Sequence, residues 1–505
     1  MRLRPSREAS ASATRLFRTS LGLVFIAAFC LPLADIEIHT ADPWLELGRI
    51  GAGLLSPDFW SVEQLVTALV NTLAFALVGV AIAVPAGGLL ALCFSWRTVR
   101  LFCAFIRSIH ELFWALLLLQ LFGLSTLTGV LAIAIPYAGI FAKVYAEILE
   151  ESDSGAWQLL PPGSHRLSRF FYTRLPQAYP HIKSYTQYRL ECAIRSSAVL
   201  GFIGLPTLGF HLETAFKQGL YSQAAALLYL FFLLIFSLRS LFGKRWLLPV
   251  YLLGAIAWLP WQQQFDWGLI VRFISEDMLP APLRGQSVTE SQSWSNLWQW
   301  CLYLIKGQAA SGVLNTMLLG FIAMVATGLV TLLLFPLVSN QFFRRPGRTA
   351  GQLLLVIFRS IPELMLAFVA LLVLGPSMLP ALLALALHNG AIIAHLIGRY
   401  SDSLVLREDS TTGLNRYLFE VIPRIYRQFL AFLFYRWEVI LRETAILGIL
   451  GIQTLGFYID SAFEELRFDR AVFLILIAAA LNMVVDSVAR WLRLRLQLSN
   501  CPQPR

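Results

Sequence analysis

Long apolar runs without a charged side chain dominate the pattern of this chain. Six of them reach or exceed the roughly 20 residues that a membrane-spanning helix needs. These runs cover residues 72–96, 112–142, 218–238, 246–265, 307–343 and 364–398. Less regular apolar runs lie at 16–34, 184–206, 429–451 and 468–491. Because run 112–142 is long enough for two helices divided at GLSTLTG, we predict about twelve helices, six in each half.

Composition and charge place the chain in a membrane. Hydrophobic residues make up 57% of the 505 residues and charged residues only 14%, against about 25% in soluble domains. Arginines cluster at 2–18, 97–100, 239–245, 344–348 and 490–495. If the helices alternate in direction, all these clusters lie on one side, which the positive-inside rule makes cytoplasmic. We predict an all-α integral membrane protein with both termini cytoplasmic and the acidic segment 35–60 outside.

Other features of the sequence indicate little chemistry. The net charge of +10 follows from the arginine clusters, so we expect no nucleic-acid partner. The basic N-terminus followed by LGLVFIAAFCLPLA is similar to a signal peptide, but without a clear cleavage site we expect a retained anchor helix. The six cysteines and seven histidines are dispersed. We predict neither a metal site nor a disulfide framework.

The two halves of the chain repeat each other. FIRSIHELFWALLLL, from Phe105, matches IFRSIPELMLAFVAL, from Ile357, at an offset of 252 residues. YRLECAIRSSAVLGFIGLPTLGFHLETAF, from Tyr188, matches YRWEVILRETAILGILGIQTLGFYIDSAF, from Tyr435, at an offset of 247. An even number of spans per copy predicts two parallel copies, related by an axis along the membrane normal, with a path between them.

This repeat divides the chain into five segments. Residues 1–60 form a basic tail, an anchor helix and an outer segment, and 61–242 form the first helical domain. Residues 243–310 form a linker, a second anchor helix and an outer segment. The second helical domain covers 311–496, and 497–505 form a cytoplasmic tail.

Charged side chains within the predicted helices are candidate functional residues, because a charge near the bilayer centre costs at least about 2.5 to 3.5 kcal/mol. Ser196 is included because it occupies the place of Glu443 in the other half. The candidates are Arg107, Glu111, Arg189, Glu191, Arg195, Ser196, Arg359, Glu363, Arg436, Glu438, Arg442 and Glu443. The spacing of Glu191 and Arg195, like that of Glu438 and Arg442, favours an ion pair on one helix.

The third helix of each half carries another such spacing. Arg107 and Glu111 are four residues apart, as are Arg359 and Glu363. Two interpretations remain open for these arginines. They pair with the glutamates on the same helix, or they extend to the cytoplasmic interface.

Arg189 lacks a partner on its own helix face. It points about 200° away from Glu191. Its counterpart Arg436 shares a face with Glu443, where the first half has Ser196. A guanidinium offers paired donors that suit phosphate-like oxyanions. We hypothesise that Arg189 lies near the path of an anionic solute, with a purely structural role as the alternative.

Glycines follow these charged positions in both halves. They are Gly201, Gly204 and Gly209 in the first half, and Gly448, Gly451 and Gly456 in the second. We predict that they allow a turn at the outer face. Close helix packing alone is the other explanation.

At these motifs the chain resembles the permeases of phosphonate-type ABC importers. SYTQYRLECAIRSSAVLGFIGLPTLGF, from Ser184, is similar to the family's pattern of Tyr-Arg, glutamate, Arg-Ser, Ala-Val-Leu-Gly and a closing Gly-Phe. RSIHELFWAL and RSIPELM, from Arg107 and Arg359, are similar to its Arg-x-Ile-Pro-Glu-Leu segment. The resemblance covers 66–242 and 312–494, and it implies two copies of the type I importer permease fold in one chain.

The resemblance also implies a function and partners. It implies ATP-driven import of a small oxyanion, phosphonate, phosphite or phosphate, across a bacterial inner membrane. The chain is expected to be no enzyme and to bind no cofactor, because Gly243 and Lys244 lack the spacing of a P-loop. ATP would be bound by a cytoplasmic ABC ATPase dimer, and a periplasmic or lipid-anchored binding protein would deliver the solute. A permease for iron, thiamine or amino acids is an alternative, as are an ion-coupled secondary transporter and a lipid-modifying membrane enzyme.

The same resemblance implies a cytoplasmic loop that couples each half to the ATPase. Its residues are Gly155, Gly163, Leu175 and Pro176 in the first half, and Gly413, Ile422 and Pro423 in the second. Gly163 lies thirteen residues before Pro176, as in the family, but Gly413 lies only ten before Pro423. Pro161 and Pro162 should also interrupt a helix in the first loop. We therefore expect the two ATPase subunits to dock unequally.

Overall fold

Helices form most of the described part of the chain. The computed structural model describes residues 7–40, 42–151, 165, 168, 170–241, 247–261, 266–284, 291–407, 412–496 and 498. Helix covers 84% of these residues, which contain no strand. Seven of the described helices are long and apolar enough to cross a membrane, or up to 11 spans if each bent helix pair counts as one. The all-α membrane fold is confirmed, and the number of twelve helices stays a prediction.

The α-helices are numbered along the chain. The first ten are α1 (Arg7–Cys30), α2 (Pro43–Leu55), α3 (Leu65–Leu92), α4 (Arg97–Ser108), α5 (Glu111–Phe122), α6 (Thr126–Glu151), α7 (Leu175–Val199), α8 (Leu208–Lys217), α9 (Tyr221–Leu241) and α10 (Leu248–Trp258). The others are α11 (Trp267–Arg272), α12 (Ser291–Leu304), α13 (Ala310–Leu334), α14 (Arg345–Ser360), α15 (Glu363–Leu374), α16 (Met378–Asp402), α17 (Ile422–Ile446), α18 (Leu455–Glu464) and α19 (Phe468–Arg495). The division predicted within 112–142 falls between α5 and α6.

These helices belong to two units. The first unit is Gly48–Glu276, and the second unit is Met1–Leu47 together with Asp277–Arg505. Helices α3 to α9 of the first unit and α13 to α19 of the second follow one another in the same order and with similar lengths. Residues matched by the sequence repeat therefore lie in helices that have the same position in the order of each unit.

A sharp break interrupts the third predicted helix of each half. Helices α4 and α5 are bent by 89° around Ile109 and His110, and α14 and α15 by 94° around Ile361 and Pro362. All four of these linking residues have extended backbone angles. Proline disfavours helical geometry in the residue before it, which explains the break at Ile361. At the first break the His110 side chain accepts a hydrogen bond from Leu112 N, 3.1 Å away, and so caps α5.

Glycines bring the central helices of each unit close together. In the first unit, Gly79 and Gly87 of α3 face Ile133 and Phe141 of α6, and a Cβ on Gly87 would lie only 2.6 Å from the Cβ of Phe141. In the second unit the glycine lies on the other partner, where Gly390 of α16 faces Val330 of α13. Small residues are typical of helix interfaces in membranes because they allow close backbone approach.

The glycine-rich turn lies where the sequence predicts it, between α7 and α8 and between α17 and α18. Gly204 and Gly451 have φ angles of +92° and +85°, a conformation that glycine adopts at little cost. Gly201 and Gly448 instead allow close approach, because a Cβ on either would overlap the backbone of the next helix. The turn and the close packing are therefore both present, each at a different glycine, and the location of the turn at the outer face stays a prediction.

Each repeat copy is preceded in the chain by an apolar helix, α1 before the first copy and α10 before the second. Each of these two helices belongs to the unit of the other copy. In the second unit α1 packs against α13, and the segment after it is held by a hydrogen bond from Met378 N to Asp35 O at 2.8 Å. In the first unit α10 packs against α3, and Trp258 Nε1 donates to Asn71 Oδ1 at 2.9 Å. The two anchor helices are thus exchanged between the copies.

The close approach at Gly201 gives a first prediction. Replacing Gly201 with alanine should lower the free energy of unfolding by about 1 to 3 kcal/mol, the usual range for overpacking, because the new methyl group would overlap the backbone nitrogen of Phe210. Thermal unfolding of the purified protein in detergent measures the effect. Gly88→Ala is the control, since nothing lies within 4 Å of its Cβ position. Equal stability of the two variants would contradict the assigned packing.

Candidate anion site and buried polar clusters

A chain of hydrogen bonds joins three helices of the first unit at the start of α5. Ser196 Oγ, on α7, donates to Glu111 Oε1 at 2.6 Å. Since the single hydroxyl proton of Ser196 is used there, Tyr137 on α6 donates to Ser196 Oγ, 3.2 Å away. His110 Nε2 lies 3.4 Å from Glu111 Oε2. The glutamate that begins the second helix of the break is thus tied to α6 and α7.

The corresponding glutamate of the second unit has different neighbours. Glu363 begins α15, and its Oε1 lies 2.7 Å from His388 Nε2 on α16. Its carboxyl is also hydrogen-bonded to that of Glu443 on α17. Asn389 Nδ2 donates to Glu443 Oε2 at 2.9 Å. Four polar side chains, two of them acidic, therefore meet at this point of the second unit.

The sequence repeat relates these two clusters residue by residue. It matches Glu111 with Glu363, Ser196 with Glu443, and Tyr137 with Asn389. The histidines do not match each other, because His110 corresponds to Pro362. His388 corresponds to Pro136 in turn. Each half thus brings one histidine to its glutamate from a different place in the repeat.

Sequence reasoning missed this exchange of proline and histidine. Taken one by one, the seven histidines are only dispersed residues of the sequence. Aligning the two copies at the offset of 252 would have shown a histidine on one side and a proline on the other at both places.

The prediction that Arg107 and Glu111 lie on one helix is wrong, and so is that for Arg359 and Glu363. Each arginine lies in the last turn before the break, and each glutamate is the first residue after it. The bends of 89° and 94° remove the same-face relation of residues four apart. The glutamate carboxyls reach the polar clusters described above. The pairing of each arginine with its glutamate stays a prediction.

Arg189 is enclosed by aromatic rings. Its Nε donates to Tyr185 Oη at 2.8 Å. The guanidinium carbon lies 5.5 Å from the ring centre of Tyr185 and 5.9 Å from those of Tyr137 and Tyr188, within the range of cation–π attraction. None of the ion pairs among the described residues includes Arg189. We call Arg189 and these three tyrosines the arginine–tyrosine box.

A cavity of about 610 Å³ adjoins the box. Tyr185 and Tyr188 line it, together with Glu151 at the end of α6 and with His181 and Ser184 of α7. Cavities of roughly 300 to 1,000 Å³ are typical of small-molecule sites. The box is therefore next to a space in which a small solute fits.

The second unit has no matching box. At the places of Tyr137 and Tyr185 it has Asn389 and Phe432. The Tyr435 ring, which matches Tyr188, is contacted by Arg493 of α19 at 5.7 Å. Among the described residues Arg436 makes no cation–π contact, and its positive charge acts on the carboxyl of Glu443. An arginine with a nearby carboxyl thus replaces an arginine enclosed by neutral rings.

The other predicted pairs on the long helices stay predictions. Glu191 and Arg195 lie on α7, and Arg195 Nη2 donates to Cys192 Sγ at 3.2 Å. Glu438 and Arg442 occupy the matching part of α17, with neither side chain fully buried.

The predicted coupling residues are described only in part. Leu175 and Ile422 are the first residues of α7 and α17, each followed by a proline and preceded by a π-helical turn. Gly413 has a φ of +71°. Gly155 and Gly163 lie outside the described residues. The two Leu-Pro or Ile-Pro sites therefore have the same local structure, and the loops before them are untested.

The amino-acid sequence of the chain is similar to those of several curated proteins. The phosphate-import permease protein PhnE of Mycolicibacterium smegmatis is 24% identical over 455 residues, which are 85% of each chain. The putative cryptic phosphonate transport system permease protein PhnE2 of Escherichia coli is 30% identical over 116 residues, 23% of this chain and 94% of PhnE2. This chain belongs to the phosphonate-type ABC transport permeases.

The phosphite transport system permease protein PtxC of Stutzerimonas stutzeri is 26% identical over 217 residues, 41% of this permease and 78% of PtxC. Most of PtxC is thus matched by less than half of the permease, whereas PhnE of M. smegmatis is matched along most of it. These lengths fit two permease copies in one chain. No family model matches the permease. No solved structure matches it.

The hydrogen bond from Ser196 gives a second prediction. Replacing Ser196 with alanine leaves the part-buried Glu111 carboxyl and the Tyr137 hydroxyl with one partner fewer, and should lower the free energy of unfolding by about 1 to 3 kcal/mol. Thermal unfolding in detergent measures the loss. Ser237→Ala on α9 is the matched control, because the Ser237 hydroxyl bonds only to Leu234 O of its own helix. An unchanged midpoint for Ser196→Ala would contradict the assigned chain.

Proposed function

We propose that the permease is the membrane subunit of an ATP-driven importer of phosphonate, phosphite or phosphate. The names of its relatives support this class of solute. The observation that carries the proposal is the arginine–tyrosine box beside the cavity in the first unit.

The box suits an oxyanion for a chemical reason. Tyr185 takes only the Nε hydrogen of Arg189, so the two terminal nitrogens of the guanidinium, which form its planar fork, remain for a ligand. Paired N–H donors in a plane match two oxygens of a phosphorus oxyanion. Since the surrounding tyrosines carry no charge, they fix the guanidinium without neutralising it. We propose that the solute binds at Arg189 on its way through the permease.

Other parts of the importer must come from further subunits. We propose that a cytoplasmic ABC ATPase dimer binds and hydrolyses ATP and that the permease itself binds no cofactor. A periplasmic or lipid-anchored binding protein would deliver the solute. The proposed location is a bacterial inner membrane with both termini in the cytoplasm. Co-purification of the tagged permease from its native host would then recover a P-loop ATPase, and recovery of intact permease without one would contradict this part.

Uptake measurements test the solute class. Cells starved of phosphate, with and without the permease and its neighbouring genes, are given labelled 2-aminoethylphosphonate. We expect permease-dependent uptake that excess phosphite or phosphate reduces and excess methionine does not. Absence of uptake in membranes that contain the assembled complex and ATP would refute the solute class and direct the search to iron, thiamine or amino acids.

Arg189 gives the third prediction. Removing one charged hydrogen-bond partner costs about 1.5 to 3 kcal/mol, so Arg189→Ala should weaken the apparent affinity for the solute by about ten- to a hundredfold. Arg189→Lys keeps the charge but loses the planar fork, and we expect an intermediate value. Concentration-dependent uptake gives both numbers.

Arg436→Ala is the matched control for these variants, since it lies at the same place in the second unit without the tyrosines. Equal effects of Arg189→Ala and Arg436→Ala, at equal amounts of assembled complex, would argue against a solute site in the box. The same result would leave the importer function itself intact, because total uptake tests that separately.

A further inference from the structure

The second cluster needs hydrogens that its residues do not carry in their usual charge states. His388 Nδ1 lies 2.9 Å from Ile361 O and 3.1 Å from Phe358 O. Carbonyl oxygens only accept hydrogen bonds, so Nδ1 carries a hydrogen. In a neutral imidazole Nε2 is then an acceptor, and yet it faces Glu363 Oε1 at 2.7 Å. An ionised carboxylate also only accepts, so a proton must lie between them.

The contact between Glu363 and Glu443 requires a second proton. Their carboxyls are hydrogen-bonded to each other, which two ionised carboxylates cannot be. Asn389 Nδ2 donates its hydrogen to Glu443 Oε2. That hydrogen does not lie between the two carboxyls, so it cannot form the bond between Glu443 and Glu363. Two ionised glutamates with a neutral histidine carry a charge of two minus, so two added protons bring the cluster to zero.

Burial favours the neutral cluster. His388 is 1% exposed and Glu443 is 7% exposed. An uncompensated charge inside a membrane protein costs several kcal/mol. The positive charge that acts on Glu443 is that of Arg436, about two turns earlier on the same face of α17. Helix α13, which packs against α17, contains no ionisable side chain.

The first unit shows that the fold does not impose this need. There His110 Nδ1 accepts the hydrogen of Leu112 N, so the hydrogen of the neutral ring lies on Nε2, the atom that faces Glu111. Ser196 supplies the other donor. Glu111 is thus satisfied as an ordinary carboxylate, and the two histidines have opposite tautomers.

We propose that Glu363, His388 and Glu443 form a proton-binding site in the second unit, which holds two protons so that one glutamate remains a neutral carboxylic acid. The site joins α15, α16 and α17 without placing a net charge in the membrane. Among the described residues no group of three or more His, Cys, Asp or Glu side chains is arranged to hold a metal ion.

Infrared spectroscopy of the permease, purified with its partner subunits and placed in lipid nanodiscs, tests the site at neutral pH. We expect a C=O stretching band of a protonated carboxylic acid that shifts in D₂O and is lost in Glu443→Gln. The amide of that variant supplies the hydrogen that the shared proton supplied, so the complex should assemble. Glu111→Gln is the matched control and should remove only bands of ionised carboxylate. If Glu443→Gln likewise removes only ionised-carboxylate bands, the proposal is overturned.

A gain of the same band provides a second test that does not depend on the Glu443 variant. Ser196→Glu places a carboxyl opposite Glu111, as in the second unit, and we expect one additional acid band. Two ionised carboxylates at that place would contradict the shared proton. Elemental analysis completes the test, because a stoichiometric metal ion that is present in the wild type and absent from Glu443→Gln would also overturn the proposal.

Discussion

Each unit must satisfy a glutamate inside its helical bundle at the point where a helix breaks. Glu111 and Glu363 are the first residues after the breaks, and neither can leave its carboxyl without donors at an acceptable cost. The donors come from helices that are distant in sequence, so the glutamate also determines which helices meet. In the first unit these are α6 and α7, and in the second α16 and α17. The break directs the glutamate toward the other helices, and the hydrogen bonds of the carboxyl hold the start of the second helix in place.

The two units satisfy this constraint differently, and the difference reaches the arginines. With Ser196 beside Glu111, the first unit keeps Arg189 away from carboxylates and among tyrosines. With Glu443 in the matching place, the second unit gives Arg436 an acidic neighbour. One exchange of serine for glutamate thus changes both the hydrogen-bond partners in a cluster and the charges around the arginine nearby. A permease built from two identical copies could not differ in this way.

Sequence reasoning reached the helices and the repeat because apolar runs and matched motifs depend on residues close in the chain. It also identified Arg189 as the arginine without a partner on its own face. It placed Glu111 and Glu363 on unbroken helices, since two extended residues such as Ile109 and His110 leave the apolar pattern unchanged. It did not find Tyr137, Asn389 or His388, because their partners lie on other helices. Helical periodicity describes one helix at a time, and contacts between helices need the tertiary structure.

The exchange of anchor helices affects how the permease can be synthesised. Helix α1 leaves the ribosome first, but its partner α13 follows only after the whole first unit has been made. Until then α1 has no helix of its own unit beside it, and lipid must solvate it. Only 11% of the apolar stretch of this helix is buried even in the finished fold, so its surface is suited to contact with lipid. The first unit, Gly48–Glu276, is completed earlier, once α10 and α11 have emerged, so α1 meets its partner only after the first unit has been made.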